Sequence, residues 1–155
     1  MRKSSPKKHI LLPDPKYKDV LVTQFVNNLM KEGKKNLALR IFYNAIDKVG
    51  EKTGEMGLDV WKKALDNVFP VVEVKRRRVG GSTVQVPVEI RPTRRVSLGI
   101  KWMINQARLR SENTMEDKLA YEIIAASQGE GKAVKKRTDV HKMAESNKAF
   151  SHFKF

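Results

Sequence analysis

Two groups of cationic residues, at positions 75–78 and 91–95, are the best candidates in this chain for a functional site. The first reads Lys-Arg-Arg-Arg, and the second places arginines at positions 91, 94 and 95. Lysine is a compact point charge, and the planar guanidinium of arginine donates paired hydrogen bonds to phosphate oxygens. The chemistry that these residues favour is therefore the binding of phosphate.

The segment between these groups predicts a two-stranded antiparallel β-ribbon over residues 71–91. Valine and isoleucine alternate with polar residues around Gly80-Gly81, and the two glycines supply the positive φ of a tight turn. The predicted faces carry Lys75 and Arg77 with Val84 and Val86 on one side, and Arg76 and Arg78 with Thr83 and Gln85 on the other. A sheet with one buried face does not place arginine on both faces, so we expect an arm exposed on both faces near its tip.

Groups that carry catalysis or bind metal ions are sparse. There is no cysteine, and the three histidines, His9, His141 and His152, are scattered through basic segments. No serine or threonine has a base and an orienting acid nearby in the sequence. We therefore expect no enzyme activity, no metal site and no cofactor. His141 is expected on a basic helix face, as a nucleic-acid contact or as a bystander.

The basic residues are concentrated in three segments. The 155-residue chain carries 32 lysines and arginines against 17 acids, a net charge of +15. Residues 1–19, 73–108 and 132–155 have net charges of +4, +7 and +5, whereas residues 109–131 have −3. This distribution favours a nucleic acid as the partner, and one footprint requires that the fold bring the three segments together.

The length of the chain favours a single domain, residues 1–155, with a hydrophobic core. No apolar run approaches the roughly 18 residues of a membrane-spanning helix, so a membrane surface is the weaker alternative. Residues 1–19 hold no apolar stretch of signal-peptide length. Together with the absence of cysteine, these features suit a cytosol-like compartment.

Helical periodicity predicts a mainly α fold, a six-helix bundle with a projecting two-stranded antiparallel β-ribbon arm. Residues 1–19 read as a basic extended N-terminal arm, and residues 149–155 as a C-terminal tail. The first predicted helix is capped by Asp19 and ends at Gly33, the second is capped by Asn36, and the third, with Trp61 in the core, ends before Pro70. The fourth begins near Pro92, and the fifth begins with a capping box of Thr114 and Asp117 and ends at Gly129. The last spans about 133–148, with Val140, Met143 and Ala144 as its weak apolar side.

Three further features of the sequence also bear on binding. Residues 135–137, Lys-Lys-Arg, are predicted to open the last helix, where an external anion would offset their conflict with the helix dipole. Trp102 either packs against a helix or serves the basic face of the fourth helix. The phenylalanines at 150, 153 and 155 either stack on bases or dock on the domain.

Four segments carry a resemblance to a known family. They are LPDPKYKD at 12–19, VNNLMKEGKK at 26–35, EVKRRRVGGSTVQVPVEIRPTRR at 73–95 and AVKKRTDVHKMAESNKAFSHFKF at 133–155. Through them the chain resembles, over essentially its whole length, the bacterial type of the small-subunit ribosomal protein seven family.

The resemblance implies a protein of the cytoplasmic ribosome that binds the 3′ major domain of 16S rRNA as a primary binder and organises the subunit head. It also implies a ribbon near the mRNA exit path and the exit-site tRNA, with other small-subunit proteins as neighbours. The RNA contacts that it implies are Arg2, Lys3, Lys7, Lys8, Lys34, Lys35, Lys75, Arg76, Arg77, Arg78, Arg91, Arg94, Arg95, Lys101, Arg108, Lys135, Lys136, Arg137 and Lys142. Trp102 is a further candidate contact, from its position between Lys101 and Met103.

Two competing functions remain open on the residues alone. Basic β-ribbon arms also enter DNA grooves, so a DNA-bending architectural protein is the second hypothesis. A catalytic RNA-modifying or nuclease domain is the third, and the missing acid, metal and cofactor constellations disfavour it.

Overall fold

The structure is a computed structural model that describes residues 10–153. The predicted contacts Arg2, Lys3, Lys7 and Lys8, and Phe155 of the tail, lie outside the described residues. The elements in chain order are α1 (Val20–Leu29), α2 (Lys35–Thr53), α3 (Gly57–Val68), β1 (Val72–Val79), β2 (Ser82–Glu89), α4 (Pro92–Arg108), α5 (Met115–Ser127), α6 (Gly131–Ser146) and a 3-10 helix (Lys148–Phe153). The prediction of a mainly α fold with a β-ribbon is confirmed.

Three aromatic rings at the centre of the core join the first three helices. Phe25, Phe42 and Trp61 are fully buried, with ring centroids 5.3–5.5 Å apart. Each ring lies on the apolar stripe that its helix shows in the sequence, and tilted and edge-on pairs of this kind are favourable. The placement of Trp61 in the core is confirmed.

Helix ends follow local capping groups. Asp19 accepts a hydrogen bond from the Leu21 N–H at 2.8 Å, and Thr114 accepts one from the Asp117 N–H at 3.2 Å, as predicted. The prediction that α1 ends at Gly33 was wrong, because Met30 already has extended backbone angles. α2 then begins at Lys35, before the predicted Asn36.

The ribbon has the predicted faces, and its turn lies at Gly80-Gly81 as predicted. β1 and β2 pair antiparallel from Val72 opposite Glu89 to Val79 opposite Ser82. Gly80 and Gly81 have φ of 55° and 87°, the left-handed region that a two-residue hairpin turn requires. Lys75 lies opposite Val86, Arg76 opposite Gln85, Arg77 opposite Val84 and Arg78 opposite Thr83.

The root of the ribbon is packed, so only its outer part projects. Glu73 and Val86 are buried, and α6 and the 3-10 helix both contact the ribbon. The Val71 N–H donates to His141 Nε2 on α6 at 3.1 Å. His141 therefore fastens the ribbon to α6, a role that the sequence did not predict. The tail up to Phe153 docks against β2, one of its two predicted readings.

The last helix begins earlier than predicted, at Gly131, and its N-terminus is already occupied by a carboxylate. Glu122 of α5 is fully buried, and its Oε1 accepts from the Ala133 N–H at 2.8 Å. Gly131 has a φ of +90°, and a Cβ there would lie 3.1 Å from Glu122 Oε1. The prediction that Met143 faces inward was wrong, since it is 42% exposed.

Candidate nucleic-acid interface

The outer part of the ribbon presents three arginines to solvent. Arg76, Arg77 and Arg78 are exposed, and none forms an ion pair within residues 10–153. Lys75 is closer to the root, with its Nζ 3.5 Å from Glu73 Oε1. Because adjacent residues of a strand point to opposite faces, the three guanidinium groups are presented on both sides of the arm.

Arg94, a predicted RNA contact, also forms an ion pair within the fold. Its Nε lies 3.0 Å from both carboxylate oxygens of Glu73, and its Nη2 lies 2.8 Å from Oε2. The hydrogen bond from Arg94 holds the pKa of the buried Glu73 carboxyl below its usual value. Arg94 therefore joins the ribbon root to α4, although its side chain remains 55% exposed.

The other predicted residues of α4 differ in exposure. Arg91 and Lys101 are exposed, and the Arg95 guanidinium lies 5.8 Å from the centre of the Phe69 ring. Arg108 is half-buried, and its Nη2 donates to the Leu29 carbonyl at 3.1 Å, which satisfies a carbonyl at the end of α1.

Trp102 is half-buried and packs against the hydrophobic core, which favours the packing reading over a role at the basic face.

The N-terminal segment is fastened to α2 by a buried carboxylate. Asp14 is 3% exposed and accepts from the Lys16 N–H at 3.1 Å, the Tyr17 N–H at 3.0 Å and the Tyr43 hydroxyl at 2.8 Å. Burial, together with the bond to Asp14, raises the pKa of Tyr43 to about 12. Residues 14–19 are thus held on the helices instead of extending away from them.

The fold brings three predicted groups of cations, those of the α1–α2 turn, α4 and the ribbon, onto adjoining elements. Residues 10–15 share a cleft with Lys35, at the start of α2. Lys34 and Arg108 line a second cleft, between the α1–α2 turn and the end of α4. Leu11 lines a third, with Pro92 at the start of α4, from which the ribbon extends. The N-terminal segment, the α1–α2 turn and α4 therefore form one continuous surface, and the Arg94–Glu73 ion pair joins the ribbon root to α4.

The cations of α6 lie on a helix that packs against the ribbon root and α4. α6 contacts β1 and α4 but, within the part of the chain that the structure describes, neither α1 nor α2. Lys135, Lys136 and Lys142 are exposed, and Arg137 has a buried Nε that finds no partner among residues 10–153. Residues 135–137 begin four residues into the helix, so the prediction that they open it at its dipole was wrong.

The acidic segment is paired internally. Lys48 Nζ of α2 lies 2.6 Å from Asp117 Oδ1 and 3.6 Å from Glu116 Oε2, and Asn44 donates to Glu116 at 2.8 Å. The hydrogen bond from Lys48 keeps the pKa of Asp117 below its usual value. These carboxylates join α2 to α5 and are therefore engaged away from the continuous surface. Within that surface, Lys34 Nζ lies 2.7 Å from Glu32 Oε2.

One charged group that matters for the fold was missed by the sequence reasoning. The buried Glu122 accepts from Arg110 Nη1 at 2.9 Å, in addition to its bond with Ala133. A carboxylate without such partners would be costly to bury. Its signal was present in the sequence, because Glu122 lies three residues after Leu119 and four before Ala126, on the apolar stripe of α5.

Comparison with known proteins identifies the family. The model of the ribosomal protein S7p/S5e family matches residues 1–148. The chain belongs to this family. It is similar to proteins named small ribosomal subunit protein uS7, with 78% identity to that of Amoebophilus asiaticus over 99% of both chains, and 66% to that of Cytophaga hutchinsonii over 100% of both. The protein from Anaeromyxobacter sp. is 55% identical over 99% of both chains.

Family membership confirms several predictions. The chain is a ribosomal protein, a structural component of the ribosome and not an enzyme, and it sits in the ribosome in the cytoplasm. Membership of this family gives no support to the DNA-bending hypothesis. No helix within residues 10–153 combines the length and apolar character needed to cross a membrane.

Proposed function

We propose that this ribosomal protein is a primary binder of the 3′ major domain of 16S rRNA, and that it organises the head of the small subunit as a single domain. The observation that carries the proposal is the continuous surface of the N-terminal segment, the α1–α2 turn and α4, together with the ribbon that joins α4. Its exposed cations come from separate parts of the sequence, and most have no acidic partner among the described residues.

The mechanism is structural. Lysine and arginine side chains neutralise phosphates where RNA helices crowd together, and the counterions released on binding contribute to affinity. The protein recognises RNA duplexes by their shape and backbone, and it gains sequence selectivity from loops and junctions whose bases are accessible. Binding in this way holds several RNA segments in one arrangement.

The ribbon is proposed to lie near the mRNA exit path and the exit-site tRNA. Two eight-residue strands rise roughly 3.4 Å per residue, so the arm is on the order of 27 Å long, part of it packed at the root. Its exposed tip, with Arg76 to Arg78, reaches beyond the helices that bind the rRNA. α6 supplies a further RNA contact, beside the ribbon root, through its exposed lysines and Arg137.

Chemical footprinting of 16S rRNA with and without the full-length protein tests the proposal. We expect protections that cluster in the 3′ major domain, because the cationic surface is continuous. Protections scattered over the other domains, or none at all, would overturn it. Equal affinity for duplex DNA at matched salt would instead revive the DNA-bending hypothesis.

A further inference from the structure

A cleft between α1 and α4 lies within the cationic surface and carries few charges itself. Its volume is about 520 Å³, and its walls include Gln24, Asn27 and Asn28 from α1 and Thr93, Val96 and Ser97 from α4. None of these six side chains is ionisable. The cleft therefore differs in chemistry from the phosphate-binding groups around it.

The polar groups of the cleft are available to a ligand. Within residues 10–153, the side chains of Gln24, Asn27, Thr93 and Ser97 make no hydrogen bond. Asn28 Nδ2 donates to the Gln24 carbonyl at 2.8 Å, which fixes its amide while leaving Oδ1 without a partner in the same residues. The cleft thus presents carboxamides and hydroxyls, which offer both donors and acceptors.

The apolar part of the cleft is formed by both helices and the N-terminal segment. Ile100 is 1% exposed, Val96 is half-buried, and Leu11 closes one side. An apolar wall beside a small number of polar groups is typical of sites that bind a flat, mostly apolar ring with polar edges. A nucleobase has this character, since its faces stack and its edges hydrogen-bond.

Cations flank the cleft on α4. Lys101 lies four residues after Ser97 on the same helix face, is exposed and forms no ion pair within the described residues. Arg94, three residues before Ser97, is partly engaged by Glu73 but remains half-exposed. A polynucleotide strand can therefore place its phosphates on these side chains while one of its bases enters the cleft.

From these observations we propose that the α1–α4 cleft binds one unpaired nucleobase of the RNA. The proposal rests on the proposed function, and it adds a base contact to a surface that otherwise binds the sugar-phosphate backbone. The carboxamides of Gln24 and Asn27 hydrogen-bond the edge of the base, and Val96 and Leu11 contact its face. The base is unpaired because taking a base out of a duplex costs its pairing and stacking energy.

Two full-length variants test the cleft. Asn27→Ala removes one carboxamide, and Ser97→Leu fills the cleft from an exposed helix position that favours leucine. We expect each to bind a transcript of the 3′ major domain about tenfold more weakly, a loss of the size of one base contact. The dependence of affinity on salt should not change, because no phosphate contact is lost. A base protected by the wild type should become reactive to base-specific probes.

Asn113→Ala is the matched control, because Asn113 is an exposed asparagine in the loop before α5, away from the cleft. It should bind as the wild type does. Wild-type affinity and footprints in both cleft variants would overturn the cleft proposal, while a loss of binding in ribbon variants would leave the proposed function standing. A reduced salt dependence in the cleft variants would show that the cleft binds a phosphate, and it would also overturn the proposal that the cleft binds a base. If the wild type protects nothing in this domain, the proposed function fails first.

Discussion

At the scale of single residues, the hydrogen bond from Tyr43 to Asp14 decides where the N-terminal segment leaves the helices. Its partners are 29 residues apart in sequence and hold a nearly buried carboxylate. We expect Tyr43→Phe to lower the free energy of unfolding by about 1–2 kcal/mol, because the carboxylate loses one of its three donors. Urea denaturation measures the change.

Tyr17→Phe is the matched control for this prediction. Tyr17 lies beside Tyr43, with ring centroids 5.8 Å apart, but it bonds Asp14 through its backbone N–H and not through its hydroxyl. Loss of the Tyr17 hydroxyl should change the free energy of unfolding much less. Equal effects of the two substitutions would mean that the bond to Asp14 contributes nothing specific.

His141 makes the packing of the ribbon root dependent on pH. Burial, aided by the positive charge of Arg137, lowers the pKa of His141 below 6.5 in the folded state. Its contribution to stability is therefore complete above the unfolded value of about 6.5 and is lost as the pH falls through the folded pKa. Protonation also removes the acceptor that the Val71 N–H uses.

We expect the free energy of unfolding of the wild type to fall more steeply, as the pH drops below about 6.5, than that of His141→Gln, which cannot titrate at this position. Thermal denaturation over a series of pH values measures the difference. Parallel pH profiles for the two proteins would show that His141 is not coupled to folding.

The sequence predicted the exposed cations better than the paired ones. Arg76 to Arg78 could be placed because strand alternation is local. The partners of Arg94 and His141 could not, since Glu73 is 21 residues from Arg94 and Val71 is 70 residues from His141. Nothing in the local pattern indicates contacts at such separations.

At the scale of the elements, the tip of the ribbon is determined by its own sequence, whereas its root depends on packing against elements that come later in the chain. Register and turn follow from alternation and from two glycines, both local properties. Burial of Glu73 and Val86 depends on α6 and the 3-10 helix, which come later in the chain. The start of α6 likewise depends on Glu122 of another helix.

The independence of the tip is testable by charge reversal. We expect Arg76→Glu combined with Arg78→Glu to weaken RNA binding and to leave the helical fold intact, because both side chains are exposed and make no ion pair within the described residues. RNA affinity and far-UV circular dichroism measure the two effects.

Arg40→Glu combined with Lys63→Glu is the control, since it changes the net charge equally on the exposed faces of α2 and α3. This variant should bind RNA more tightly than the ribbon variant. A collapse of the circular dichroism signal in the ribbon variant would show that the tip is part of the folded core.

At the scale of the whole molecule, the net charge of +15 belongs to a chain that we propose binds RNA through cations of several elements. About six phosphate contacts predict that the logarithm of the RNA-binding constant falls with the logarithm of salt concentration with a slope of roughly −4 to −5. Binding titrations over a range of salt concentrations measure this slope.

We expect Lys34→Gln combined with Lys35→Gln to reduce the magnitude of the slope by roughly 1.5, about one counterion for each lost contact. Both lysines lie on the continuous surface, beside Arg108 and the N-terminal segment. An unchanged slope would place the α1–α2 turn outside the RNA contact.

Local patterns were enough to predict the helices, the two faces of the ribbon and the excess of positive charge, because periodicity, turn chemistry and composition act over a few residues. Only the tertiary structure decided which cations remain available and which hold the fold together. It also decided that α1 and α4 enclose a cleft of uncharged polar groups. These outcomes depend on which helices pack side by side, and that choice is made by burial summed over the whole core.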